Sequence, residues 1–256
     1  MLEIKQILTR NLFYVKLIIM KDIFGKSLHG YWKGDHRTPH AITRNDGYVD
    51  ISNLEGYFNT KPLPQEVKAL QFLHGQRVLD IGCGAGRNIL YLQSKGLAVT
   101  GIDTSSLAIR TCKDRGCKGV KRMDIFKHKF SHNSFDSVIL FGHNLGIGGT
   151  LPGVKKLLRV CKHLLRPGGV ILLTSVDVTK TKKLKHQRYQ RANRKAGRYV
   201  GVVKIRVEYK GEHSDWFNWV QVEPKVLKRL AKEIDLKIVK VFQATGGRYS
   251  AVLQKD

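Results

Sequence analysis

Residues 78–86, Val-Leu-Asp-Ile-Gly-Cys-Gly-Ala-Gly, hold the most chemically pointed spacing in the chain. Gly82, Gly84 and Gly86 fall on alternate positions, with Cys83 and Ala85 between them and Asp80 two residues ahead. Glycines so spaced let backbone groups close on a ligand that side chains would hold away. The dinucleotide pattern G-x-G-x-x-G offers such N–H groups and a helix N-terminus to a pyrophosphate. Here the last interval is shorter, and Asp80 supplies a carboxylate that would repel a phosphate. The ligand implied is cationic and carries no phosphate.

The elements around this loop follow from the apolar rhythm. "RVLDI" (77–81) reads as a strand that delivers the loop, and the segment from Asn88 to Lys95 as the helix that leaves it. "LAVTGID", ending at Asp103, is a second strand, followed by the helix "SSLAIRTCKD". "KGVKRMD", ending at Asp124, and "FDSVILFG", ending at Gly142, are two more. "GTLPGVKKLLRVCKHL" is helical, and "RPGGVILLTSV" is a glycine turn feeding a fifth strand. Strands alternating with helices at this interval give a doubly wound, mostly parallel α/β sheet. Beyond it, "YVGVVKIRVEY" and "WFNWVQV" pair as a hairpin, "EPKVLKRLAKEI" is a helix with Pro at its start, and "LKIVKVFQ" and "RYSAVLQ" close the sheet at seven strands.

In order, over residues 75–176, these pieces resemble the class I S-adenosylmethionine-dependent methyltransferases. That family's first motif, acidic-x-G-x-G-x-G, ends its first strand; its cofactor bears a sulfonium and an ammonium and no phosphate. The resemblance implies a Rossmann-like domain over 71–256 that binds S-adenosylmethionine. Asp80, Gly82, Cys83, Gly84, Ala85, Gly86 and Asn88 would form the loop side of the site. Asp103, with Thr104 beside it, would accept both ribose hydroxyls, a task suited to two carboxylate oxygens. Asp124 and the backbone of Ile125 would meet the adenine, and Phe141 and Gly142 would follow the fourth strand. Other readings stand beside these. Gly86 can be small for helix–strand packing, Asp103 can cap the next helix, Cys83 can be a small loop residue, and Asp136 has a structural or surface role.

The methyl acceptor is addressed by the loop "GHNLGIGGT", beyond the carboxyl end of the fourth strand. His143 and Asn144 are its catalytic candidates, His143 as general base or substrate contact and otherwise as a packing or capping residue. Family members that methylate exocyclic base amines carry an Asn/Asp-Pro-Pro-aromatic motif there, and Gly142-His143-Asn144-Leu145 is not one. Over a few residues the loop is more similar to that of glycine N-methyltransferase-like enzymes, which act on small molecules. Residues 1–70 are expected to form a helical or irregular cap, with Tyr31, Trp32 and Arg37 as substrate candidates. Of Trp216, Phe217 and Trp219 in the hairpin, at least one is a candidate for stacking on a base or substrate.

Charge bears on the partner. Lys and Arg number 46 against 20 Asp and Glu, a formal +26. The insertion after the fifth strand, about 178–222, concentrates it: residues 178–210 hold twelve basic residues and one carboxylate, Glu208. Lys182, Lys183, Arg188 and Arg191 are therefore candidates to dock RNA or another polyanion. The alternatives are a small-molecule N- or O-methyltransferase and a non-catalytic nucleic-acid-binding protein. Four cysteines without a CxxC pair or zinc-finger histidines suggest neither a disulfide framework nor a metal, and point to a reducing cytoplasm. With 42% hydrophobic residues the chain can build a core and is not a disordered one. The run "NLFYVKLIIM" is broken by Lys16 and too short to span a bilayer; Ile4, Leu8, Leu12, Val15, Ile19 and Ile23 recur as on an amphipathic helix.

Overall fold

The computed structural model describes residues 21–256. Of the N-terminal apolar pattern only Ile23 falls among them; Ile4, Leu8, Leu12, Val15 and Ile19 lie outside the described residues. In chain order a first segment carries α1 (Ile23–Trp32), β1 (His40–Arg44), β2 (Val49–Ser52), α2 (Glu55–Phe58) and α3 (Pro64–Leu70). The central part runs β3 (Arg77–Ile81), α4 (Arg87–Gln93), β4 (Ala98–Asp103), α5 (Ser106–Asp114), β5 (Val120–Arg122), β6 (Phe135–Leu140), α6 (Leu151–Leu164) and β7 (Leu165–Val176). Then follow α7 (Leu184–Lys195), β8 (Val202–Tyr209), β9 (Glu212–His213), β10 (Phe217–Val220), α8 (Pro224–Lys232), β11 (Leu236–Gln243) and β12 (Arg248–Lys255).

The seven-stranded sheet has the order β11-β12-β7-β6-β3-β4-β5. β3 to β7 are parallel, and β12 runs antiparallel between β7 and β11. This is the doubly wound Rossmann-like sheet expected from the apolar rhythm. The chain reverses its direction of winding at β3, so the crevice beyond the carboxyl ends of β3, β4 and β6 is where such sheets take ligands. The helices that cover this sheet carry apolar stripes, as α6 shows. On α6, Val154, Leu157, Leu158, Cys161 and Leu164 are buried at the i, i+3, i+4, i+7 spacing, and the Thr150 side chain accepts from the Gly153 N–H to start the helix. Each fully buried Leu or Val there contributes roughly 1.5–3 kcal/mol.

Within the expected helical or irregular cap, residues 21–70 also contain two strands. β1 and β2 form a hairpin, with Thr43 opposite Val49. β1 also pairs antiparallel with β8, Thr43 opposite Arg206, and β8 with β10. Cap and insertion are thus joined in one sheet, β10-β8-β1-β2 with β9 on β8. The expected hairpin of residues 199–222 is present as β8 and β10, and its outer neighbour is the cap.

Side-chain alternation fixes what the two faces of this second sheet do. Ile42 lies opposite Val207, Arg44 opposite Ile205, and Ile205 opposite Phe217, so His40, Ile42, Val207, Ile205, Phe217 and Trp219 share one face. Val207 and Phe217 pack with Ile23 and Phe24 of α1, and Trp219 lies against Gly146, in the loop after β6. That face therefore rests on α1 through Val207 and Phe217, and through Trp219 it reaches the loop beyond the carboxyl end of β6, at the edge of the crevice.

Candidate active site

The glycine loop leaves β3 in a conformation that its residue types impose. Gly82, Gly84 and Gly86 have φ of 74°, 55° and 80°, a region that costs an L-residue roughly 1–2 kcal/mol. The Gly82 and Cys83 N–H groups donate to the Ile102 carbonyl at 2.8 and 3.0 Å, which ties the loop to β4. A Cβ on Gly86 would lie 2.3 Å from Cys117 Sγ, so packing and backbone conformation both require glycine there. A Cβ on Gly84 would meet nothing closer than 3.8 Å, which leaves close backbone approach and its φ as the reasons for that glycine. Cys83 is buried beneath the loop with Cys112 and Cys117, and hydrogen bonding between these thiols, ahead of burial, pushes the Cys112 and Cys117 thiols up. Cys112 donates to the Gly84 carbonyl at 3.1 Å. These thiols pack and brace; none is placed as a nucleophile. Ala85 is buried under the cap.

Three carboxylates stand at or just past the carboxyl ends of β3, β4 and β5, and they differ in their hydrogen bonding. Asp80 is 1% exposed and neither of its oxygens has a hydrogen-bond partner among the described residues. Burial lifts its pKa to about 7, against the pull of the nearby Arg87 guanidinium, which is itself paired to the buried Glu66 at 2.7 Å. An enclosed carboxylate of this kind favours a cation nearby through its charge rather than by touching it. Asp103 accepts from Gly84 N–H at 3.0 Å and Ser105 N–H at 2.9 Å, one bond per oxygen, so half of its acceptor capacity is uncommitted. Burial raises its pKa. The helix-capping alternative belongs instead to Ser105, whose hydroxyl accepts from Ala108 N–H. Asp124 spends one oxygen on Phe126 N–H at 2.9 Å and keeps the other. Asp136 lies away from the loop, holding the Gln76 and Arg77 N–H groups and Arg166.

The remaining cofactor candidates divide by exposure. Thr104 and Gly142 are exposed and Asn88 is half-buried, while Ile125 and Phe141 are core residues at 3% and 1%. Any contact from the last two to a ligand is a backbone one.

In the loop after β6 the two catalytic candidates part. Asn144 Nδ2 donates to the Ile81 and Gly82 carbonyls, both at 2.8 Å, and fills the space a Gly82 Cβ would need. Its amide nitrogen is committed to locking the two loops together, so Asn144 is a positioning residue. His143 has φ 65°, and its N–H donates to Thr174 Oγ1 at 3.0 Å. Its Nδ1 is enclosed without a partner among the described residues, and burial, aided by the Arg248 charge, lowers its pKa to about 4. The ring is therefore neutral near pH 7 and able to accept a proton or a hydrogen bond.

Of the substrate candidates, Tyr31 packs in the cluster that holds Ala85 of the glycine loop, and the basic ones are exposed. Tyr31 stacks on Phe58 at 4.7 Å and meets His36 edge-on, and Trp32 lies parallel to the same Phe58 ring. Arg37, Lys182, Lys183, Arg188 and Arg191 are exposed. Sequence reasoning missed the residue that seats the cap: Arg115 donates to the Tyr57, Phe58 and Ala85 carbonyls and stands over the Phe58 ring. It missed His40 as well, 1% exposed with both ring nitrogens unpartnered, its pKa lowered to about 4 by burial. A lone arginine in a helix and a lone histidine in a short strand carry no local signal. Trp219 was among the aromatic candidates; its indole covers Gly146, where a Cβ would lie 2.1 Å from the ring.

Residues 78–169 match a family model described as "Methyltransferase domain". A SAM-dependent methyltransferase from Bacteroides fragilis, solved in complex with S-adenosyl-L-homocysteine, superposes with a TM-score of 0.77 at 25% identity, covering 91% of this chain and 94% of that one. The ubiquinone biosynthesis O-methyltransferase of Pasteurella multocida is 25% identical over 122 residues, 42% of this chain. Its namesake from Alkalilimnicola ehrlichii is 26% identical over 190 residues, 70% of this chain and 67% of that protein. The chain spans about half, 49%, of the Pasteurella protein.

Proposed function

We propose, from the premise that this chain belongs to the class I S-adenosylmethionine-dependent methyltransferases, that it methylates a hydroxyl of a small, largely apolar acceptor held between the glycine-loop crevice and the apolar face of the second sheet. The observation that carries the acceptor class is that face itself. Ile42, Ile205, Phe217 and Trp219 are half-buried residues on the face that reaches the edge of the crevice, and the cap and insertion that supply them are paired strand to strand. Such a wall favours a compact apolar molecule over a phosphate backbone. The names of the curated relatives, O-methyltransferases, favour oxygen as the atom.

The residues present fit the cofactor. Gly84 puts no side chain in the way of a close ligand, Asp103 has acceptor capacity for two ribose hydroxyls, and Asp124 keeps one oxygen for an exocyclic amine. The unpartnered Asp80 charge suits a ligand bearing a sulfonium and an ammonium. When bound, S-adenosylmethionine supplies a methyl group on a positive sulfur, open to in-line attack. The chain's own work is to orient the acceptor, exclude water and receive a proton. Asn144 fixes the acceptor loop to the glycine loop, and the neutral His143 ring offers a proton acceptor beside it. α1 closes the cofactor side: Asp22, its N-cap, accepts from Ser105 Oγ at 2.8 Å and Leu107 N–H at 3.1 Å.

The test is transfer of radiolabelled methyl from S-adenosylmethionine by protein freed of nucleic acid, offered total RNA and a metabolite extract in parallel. Label in the organic-extractable low-mass fraction is expected. Label released from RNA by nuclease would overturn the acceptor class and give the basic insertion a substrate role.

A further inference from the structure

The basic excess of the insertion has no part in the site above, and α7 is where it gathers. Surface helices are ordinarily held by an apolar stripe. α7 is held by amides instead: Gln190 Nε2 donates to Val178 O and Asn193 Nδ2 to Val202 O, both at 2.7 Å, and these two are its buried residues. Tyr189 completes the attachment, with its hydroxyl on Asn45 and its ring under the Arg44 guanidinium at 4.2 Å. On the opposite side Leu184, Arg188, Arg191 and Lys195 follow one another at intervals of four, three and four residues, which places them on one stripe. All four are exposed, Leu184 by 65%. Among the described residues none of the three cations has an ion pair, and no carboxylate occurs between Asp177 and Glu208.

A row of unpaired cations repels itself and gains nothing from the fold, so its return is an external anion. The chemistry of the stripe discriminates between anions. Single-stranded nucleic acid is held by cations together with exposed aromatic rings on which bases stack. Here Tyr189 on the helix and Tyr48, which lines a pocket with Arg188, are both taken up by Arg44, and the stripe's one uncharged member is aliphatic. A layer of anionic headgroups over hydrocarbon matches both parts, phosphates for Arg188, Arg191 and Lys195 and acyl chain for Leu184. We propose that the outward stripe of α7 docks this protein on an anionic phospholipid surface, with the helix lying in the plane of the headgroups. Lys182 and Lys183, exposed just before the helix, extend the contact. Such docking would also bring the crevice to where an apolar acceptor concentrates, a consequence that rests on the proposed function; the docking itself does not.

The experiment is co-sedimentation of the full chain with phosphatidylcholine vesicles and with vesicles containing phosphatidylglycerol, without cofactor or acceptor, so that it stands whether or not methyl transfer is found. Binding is expected to the anionic vesicles alone and to be reversed by salt. Arg188→Glu, Arg191→Glu and Lys195→Glu together should weaken it about 100-fold or more, given the contribution of each basic residue near such a surface. Leu184→Ser should weaken it about tenfold with the charges intact. Unchanged far-UV circular dichroism and S-adenosylhomocysteine affinity would show that the variants are folded. Equal binding by the triple variant, no binding to anionic vesicles, or RNA binding through the stripe with vesicles ignored would each overturn the proposal.

Discussion

Replacing Asp80 by Asn tests whether an enclosed, unpartnered carboxylate both destabilises the empty protein and favours its cationic ligand. Its pKa of about 7 stands above the ordinary 3.8. A carboxyl raised in the fold binds more protons folded than unfolded, so the empty protein loses stability as pH rises from about 4 through 7. Integrating between pH 5 and pH 8, this one group costs about 2–3 kcal/mol. For a chain of this size that corresponds to a Tm difference of about 5–10 °C. His40 and His143, each held near 4, work in the other direction: their protonation on unfolding removes stability as pH falls below 6.5. The informative quantity is therefore the difference between wild type and Asp80→Asn, in which the histidines cancel.

That difference should grow by about 2–3 kcal/mol in favour of the variant from pH 5 to pH 8 in differential scanning calorimetry. Binding should move oppositely. A cation favours ionised Asp80, so the wild type must release its proton on binding S-adenosylmethionine below pH 7. Its Kd should rise about 25-fold between pH 7.5 and pH 5.5, and the variant's rise should lack that contribution. Isothermal titration in two buffers of different ionisation enthalpy would count the proton directly. A variant whose stability and binding follow the same pH curves as the wild type would refute the reasoning.

Three further perturbations address the supports of the site. Arg115→Ala removes the donor to three cap and loop carbonyls; it should cost about 2–4 kcal/mol and speed proteolysis near Tyr57 and Phe58, and Arg115→Lys should not restore it because one ammonium cannot span them. Gly86→Ala forces a Cβ onto Cys117 Sγ at a φ of 80° and should lower stability by about 2–4 kcal/mol in urea denaturation, of which Cys117→Ala recovers only the packing part. Trp219→Ala opens the roof over Gly146 and should lower kcat/KM for the acceptor by about tenfold or more while S-adenosylhomocysteine affinity is kept, the pattern of lost acceptor binding.

The central sheet was legible because its signals are local. β3, β4, β6 and β7 are apolar runs between helical patterns, and Gly82, Gly84 and Gly86 mark a turn that only glycine makes cheaply. The cap hairpin was not legible. β1 and β2 are five and four residues long, and β1 is completed by β8, with Thr43 facing Arg206 far along the chain. The inward face of β1 also carries His40 and Arg44, residue types that are seldom fully buried; Arg44 is buried because Asp46, Tyr48 and Tyr189 enclose it. Asn144 illustrates the same limit at the site. Its position after the fourth strand marked it for chemistry, and only the Ile81 and Gly82 carbonyls beside it reveal a lock.

The central claim is that the glycine loop and Asp103 form the cofactor site, and the most direct measurement is the affinity for S-adenosylhomocysteine of the wild type and of Asp103→Ala by isothermal titration. The account predicts saturable one-site binding by the wild type and a Kd higher by roughly 30-fold or more in the variant, the cost of two hydroxyl hydrogen bonds to a carboxylate. Absence of binding by the wild type, or equal Kd values, would contradict it.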